Sequence, residues 1–192
     1  MTSPEDPRPG FEDWLRSVTF NADSPEDDQG DVSPANRRWL RRFFEVEGGA
    51  RRDLVDRAFL KDQVALAKDA ASAVLSDLHR TSALRPTVTV DDYEGTGVRI
   101  WVNGGYTAPS MWAIEKPEAL VEVALYIQDQ LDLADYLQEF EQADGCWPLC
   151  DEHGVGLRAE VREGIAVWWC RAGHHGVAPI GHLGAEGGEQ LN

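Results

Sequence analysis

The sequence predicts an α+β protein: helix, a three-stranded antiparallel sheet, a further helix, and a small β-hairpin module at the end of the chain. Three observations lead there. Apolar residues recur every three or four positions in two long stretches. They alternate at every second position between those stretches, and short alternating runs return after Gly145.

The first 34 residues hold five of the ten prolines and the acidic run from Ser24 to Asp31. Such a stretch buries too little to offset the entropy of ordering, so a disordered acidic tail is expected over 1–34. Within it Phe11, Trp14, Leu15, Val18 and Phe20 are apolar at roughly helical spacing; docking of this island on the body or on a partner is the alternative. Ser33 and Pro34 then form a cap and first-turn pair for a helix through Phe44, broken at Gly48-Gly49. A longer helix should run from about Ala50 to about Ser82, with Leu60, Val64, Ala67, Ala71, Val74, Leu75 and Leu78 on one face, and Pro86 beyond its end.

From Thr87 the period changes to two. Thr87 to Val90 and Val98 to Val102 alternate, and Asn103-Gly104-Gly105 is a hairpin turn whose central positions accept φ > 0. Strands are expected over 87–92, 97–103 and 106–114, with Pro109 confining the last to an edge or a bulge. Pro117 sits where a helix begins. That helix buries Leu120, Val123, Ala124, Ile127, Leu131 and Ala134, while Asp129, Asp132, Asp135 and Glu139 fall on a solvated outer side. Past Gly145, the runs Gly156 to Val161 and Ile165 to Trp169 flank the turn Arg162-Glu163-Gly164, and Val177 to Ile180 supplies a third short strand. The expected organisation is thus tail 1–34, α+β body 35–144, hairpin module 145–183 and loose tail 184–192. Adjacent strand residues point to opposite faces, so one of Trp168 and Trp169 must pack inward and the other outward.

Composition narrows the function classes. With 18 basic and 34 acidic residues the formal charge is −16, which repels nucleic acid and anionic membrane. Direct nucleic-acid binding would have to rest on one island, Arg37, Arg38, Arg41, Arg42, Arg51 and Arg52, interleaved with Trp39, Phe43 and Phe44. The expectation there is an amphipathic helix whose arginines pair with the protein's own carboxylates. No apolar run is long enough to span a bilayer, and Met1 to Pro7 has neither the basic nor the apolar part of a secretory signal, so cytoplasmic residence is expected.

All three cysteines and four of the five histidines crowd the C-terminal region: Cys146, Cys150, His153, Cys170, His174, His175 and His182. An odd number of closely spaced cysteines argues against a disulfide framework, and thiols alternating with imidazoles point to metal ligation. A zinc ribbon needs two knuckles of two donors each, joined by a hairpin. The sixteen residues between His153 and Cys170 are the length a hairpin takes. The preferred set is Cys150, His153, Cys170 and His174, with Cys146 and His175 in reserve. Thiolate and imidazole suit Zn2+ better than magnesium or calcium, and a closed set of four makes the metal structural. A zinc-ribbon-like module over 145–183 is too small to bury much core, so a metal would supply the missing stability. A catalytic zinc would need an open position and a base such as Glu152 or Glu160; neither HExxH nor a deaminase pattern is present.

Trp147-Pro-Leu-Cys150-Asp-Glu-His153, Ala166-Val-Trp-Trp-Cys170 and Val177-Ala-Pro-Ile-Gly-His-Leu183 resemble the ending of small uncharacterised proteins of high-GC bacteria, actinobacteria in particular. The resemblance covers roughly the last third. It implies an α+β body with a ribbon-like tail and no established activity. In such sequences the second knuckle often lacks histidines, a departure that falls on His174. The functional expectation is a non-enzymatic interaction or adaptor protein whose partner is another protein. Its alternative is an acidic inhibitor or immunity-type protein that covers a basic nucleic-acid-binding partner, and a zinc-dependent hydrolase comes third.

Overall fold

The computed structural model describes residues 10–19, 32–95, 97–104, 113–136 and 146–185. The elements are α1 (Phe11–Thr19), α2 (Pro34–Glu47), α3 (Arg52–Thr81), β1 (Val88–Asp92), β2 (Val98–Val102), α4 (Lys116–Tyr136), β3 (Arg158–Arg162), β4 (Ile165–Cys170) and β5 (His175–Pro179). Helix and sheet are mixed, and β3, β4 and β5 form a three-stranded antiparallel sheet. The chain divides into two compact units at Lys61/Asp62, inside α3.

In the first unit, Ser33 caps α2, accepting a hydrogen bond from the Asn36 N–H at 3.2 Å with Pro34 in the first turn. Gly48 ends it at φ 72°, where its N–H donates to the Phe44 carbonyl at 2.8 Å. The segment around Trp14 is helical, a correction to the expected disorder of that stretch. Trp14, Leu15 and Val18 are buried, and the Trp14 indole donates to the Ala50 carbonyl at 2.8 Å. Trp14 also packs on Phe43 and Phe44, and Trp39 packs on Phe43 and Phe59. That aromatic burial orders an otherwise polar segment.

In the second unit, α3 buries Gln63, Ala67, Ala70, Ala71, Val74, Asp77 and Leu78, while α4 buries Ala119, Leu120, Val123, Ala124, Ile127 and Leu131. Strands β1 and β2 pair in the register Val90↔Ile100, with Val98, Ile100 and Val102 buried on one face. Residues 106–112 of the third expected strand, 106–114, and the acidic side chains of Asp132, Asp135 and Glu139 lie outside the described residues. Among the described residues, no helix is long and apolar enough to cross a membrane.

The C-terminal sheet is held by side chains of both long helices. Trp168 is the inward indole, fully buried, and donates through Nε1 to Oδ2 of Asp77 at 2.7 Å. Trp169 lies on the other face under the Arg162 guanidinium, 4.4 Å from the ring centre. Asp77 itself has no exposure and accepts three more bonds: from the Gly181 N–H at 2.6 Å, the Leu183 N–H at 2.8 Å and Arg80 at 2.6 Å. Arg80 also donates to the Leu183 and Gly181 carbonyls, and Trp147 donates to Thr81 Oγ1 at 2.9 Å. From α4, Gln128 donates to the Trp147 and Leu157 carbonyls at 3.0 and 2.9 Å.

Burial pushes the Asp77 carboxyl above the ordinary aspartate range, even though the bonds from Trp168, Gly181, Leu183 and Arg80 pull it down. The folded protein therefore holds this proton to higher pH than the unfolded chain does, and the group's contribution to stability falls as pH rises between the ordinary and the raised value. Asp77→Asn removes the charge and turns an amide donor toward groups that already donate. It should cost about 3 kcal/mol, and a pH series of urea midpoints should show it lacking that slope.

Candidate metal centre

Two tight turns face each other at one end of the C-terminal sheet. The first runs through Cys150 to Gly154. The Cys150 N–H donates to the Val155 carbonyl at 2.9 Å, and the Gly154 N–H donates to the Cys150 carbonyl at 2.7 Å. Gly154, at φ 63°, reverses the chain so that His153 folds back beside Cys150. The second turn joins β4 to β5, whose register pairs Cys170 with His175. There the Gly173 N–H donates to Cys170 Sγ at 3.4 Å.

Four donor atoms converge: Cys150 Sγ, His153 Nδ1, Cys170 Sγ and His175 Nε2, all within 4.8 Å of one another. Cys150 Sγ lies 3.4 Å from His153 Nδ1 and 3.6 Å from His175 Nε2, and Cys170 Sγ lies 3.6 Å from His153 Nδ1. The imidazoles meet edge to face with centroids 5.5 Å apart. Both thiols are buried, His175 is half-buried and His153 is exposed. This group is positioned to bind a metal ion.

Burial, reinforced by the neighbouring Cys170 thiol, holds the Cys150 thiol above its ordinary range. Backbone donors in the turn act the other way and are outweighed. A desolvated thiol with a second sulfur beside it keeps its proton until a cation replaces it.

The structure brings together Cys150, His153 and Cys170 of the preferred set, but the fourth donor is His175, the reserve, in place of His174. His174 occupies the left-handed region at φ 51°, a turn position that leaves its side chain exposed and outside the group. His175 is the first residue of β5, and its pairing with Cys170 brings its ring to the sulfurs. Cys146 is exposed and stands outside the group, as does His182.

No protein-family model, curated protein or solved structure matches this chain. The donors' own chemistry and spacing therefore carry the assignment.

Gly173 packs against the donor rings, a contact that the ligand spacing does not mark. A Cβ at this position would sit 2.4 Å from His153 Cε1 and 2.8 Å from His175 Cδ2, so two imidazoles close over a residue without a side chain. Its signal in the sequence is only a glycine between the second cysteine and the histidine pair. Of the candidate bases, Glu160 is paired with Arg162 at 2.5 Å and Arg171 at 3.4 Å, and Glu152 is exposed.

These contacts set two expected outcomes for metal binding, read by mass spectrometry of the intact native protein. His175→Ala should lose the metal, whereas His174→Ala keeps it. Gly173→Ala, which adds one methyl group and removes no donor, should weaken binding by at least about tenfold, because second-shell distortion of that kind costs about 10–100-fold.

Proposed function

We propose that this chain is a non-enzymatic protein-interaction protein whose C-terminal residues form a zinc-ribbon-like module around one structural zinc ion. The observation that carries this reading is the spacing of the donors. Zinc bonds of about 2.3 Å to sulfur and 2.0–2.1 Å to nitrogen, placed at tetrahedral angles, put sulfur and nitrogen about 3.6 Å apart. Three of the four sulfur-to-nitrogen separations here are 3.4, 3.6 and 3.6 Å, and the fourth, Cys170 Sγ to His175 Nε2, lies within 4.8 Å. Two thiolates with two imidazoles form a donor set that favours zinc over the oxygen-seeking magnesium and calcium.

Four protein donors leave no coordination position for a substrate or water, and this supports a structural rather than a catalytic ion. The engagement of Glu160 with two arginines supports the same conclusion. An interaction role also accords with apolar side chains left on the surface around the module. Leu149 and Val155 are exposed beside the first knuckle, and Val161 and Ile165 at the hairpin tip. In the first unit Arg37 and Arg41 are drawn to Glu12, Arg51 to Asp53 and Arg52 to Asp56. Self-pairing of that kind disfavours the arginine island as a nucleic-acid grip.

Native mass spectrometry tests the reading directly. The protein should carry one zinc, lost in Cys150→Ser and in Cys170→Ser. Chelation should strip hydrogen-exchange protection from the two knuckles, while the amides of α3 and α4 stay protected. A metal-free protein with fully protected knuckles would remove the basis of this proposal.

A further inference from the structure

Helix α1 is built like a ligand. At nine residues it is too short to be stable alone, since isolated helices below about 12–15 residues are marginal. Its helicity therefore depends on what it docks against. The docking residues are Phe11, Trp14, Leu15 and Val18, the positions i, i+3, i+4 and i+7 by which an amphipathic helix seats in a groove.

The receiving surface is made by α2 and the connection into α3. Trp14 enters deepest, 3% exposed, and stacks against Phe43 and Phe44 with its indole bonded to the Ala50 carbonyl. Gly49 admits it: a Cβ there would lie 3.4 Å from both Trp14 Cδ1 and Phe44 Cε2, and its φ of 97° already favours glycine. Charge fixes the register. Arg37 grips both Glu12 oxygens at 2.7 and 2.6 Å, and Arg41 lies 3.6 Å from the same carboxylate while covering the Phe11 ring at 4.2 Å. An open depression of about 500 Å3 lies between α1 and residues 49–52.

We infer that this surface is a helix-acceptor groove that α1 occupies in cis, and that its partner is a protein helix of the same chemistry. Such a helix carries an aromatic residue, an acid one position on, and a tryptophan-leucine pair at the third and fourth. The inference deepens the protein-interaction reading by naming a surface, and it is independent of the metal. Because α1 competes from its own chain at an effective concentration of about millimolar, the groove is masked until a tighter helix arrives.

The probe is a fluorescein-labelled peptide of residues 10–19, read by anisotropy against the full-length protein. Trp14→Ala with Leu15→Ala empties the groove without altering its walls, and the peptide should bind this variant at least about tenfold more tightly than the parent. Adding Arg37→Glu and Arg41→Glu should abolish that gain. If the double variant does not fold, Glu12→Arg serves instead, since it repels α1 from the two arginines and leaves the apolar anchors in place. Equal binding to parent and opened variants, or none to a folded opened variant, would overturn the inference. So would a concentration-dependent dimer of the parent that Trp14→Ala dissolves, which would assign the groove to α1 of a second copy. A protein that fails this titration while retaining zinc and a partner in pull-down leaves the broader reading standing, and the reverse result separates the two in the other direction.

Discussion

A carboxylate with no access to water organises the second unit. Burying Asp77 unpaired would cost several kcal/mol, so its position is tolerable only because both oxygens are fully engaged. The partners that engage it are remote in sequence: an indole from β4, two backbone amides beyond β5, and the neighbouring Arg80. Each bond therefore does two things at once. It offsets the desolvation of the charge, and it ties β4 and the segment after β5 to one turn of α3. A hydrophobic residue at 77 could fill the same space but could not specify which strand residue and which loop amides belong there.

That anchorage explains how a shallow cluster of metal donors is held in register. The hairpin contributes Trp168 and Cys170 from one strand, two residues apart and therefore on one face, with a shift in the β4–β5 pairing between Trp168 and Trp169. Trp168 is locked against α3, which sets the depth of β4 and so the depth of the Cys170 sulfur. Gln128 performs the equivalent task on the other side, joining the backbone just before the first knuckle to the backbone just after it. The two turns are thus fixed at their bases by hydrogen bonds to helices, and their tips carry the donor atoms.

Much of this was legible from the sequence because its signals are local. Helix caps, the two apolar stripes, the C-terminal hairpin and the two cysteines of the cluster all follow from periodicity and spacing within about ten residues. The parts that were not legible depend on contacts between distant segments. Asp77 sits on the buried stripe three residues after Val74, yet an aspartate among apolar residues has no meaning until Trp168 and Gly181 are known to meet it. His174 and His175 are equivalent as spacing goes. What separates them is the left-handed backbone at His174 and the strand pairing at His175. The helical spacing at Phe11–Thr19 was visible, but whether it docks was not, since its neighbours in sequence are polar and its neighbours in space come from α2.

The unequal exposure of the four donors has a kinetic consequence. Both sulfurs are sealed inside while the His153 ring faces water, so a cation reaches or leaves this group along the imidazole side. Were a metal bound, rotation of the solvated His153 ring would leave Cys150, Cys170 and the half-buried His175 as the remaining donors. The lifetime of such an ion would then be set by a surface side chain, while both sulfurs stay out of water.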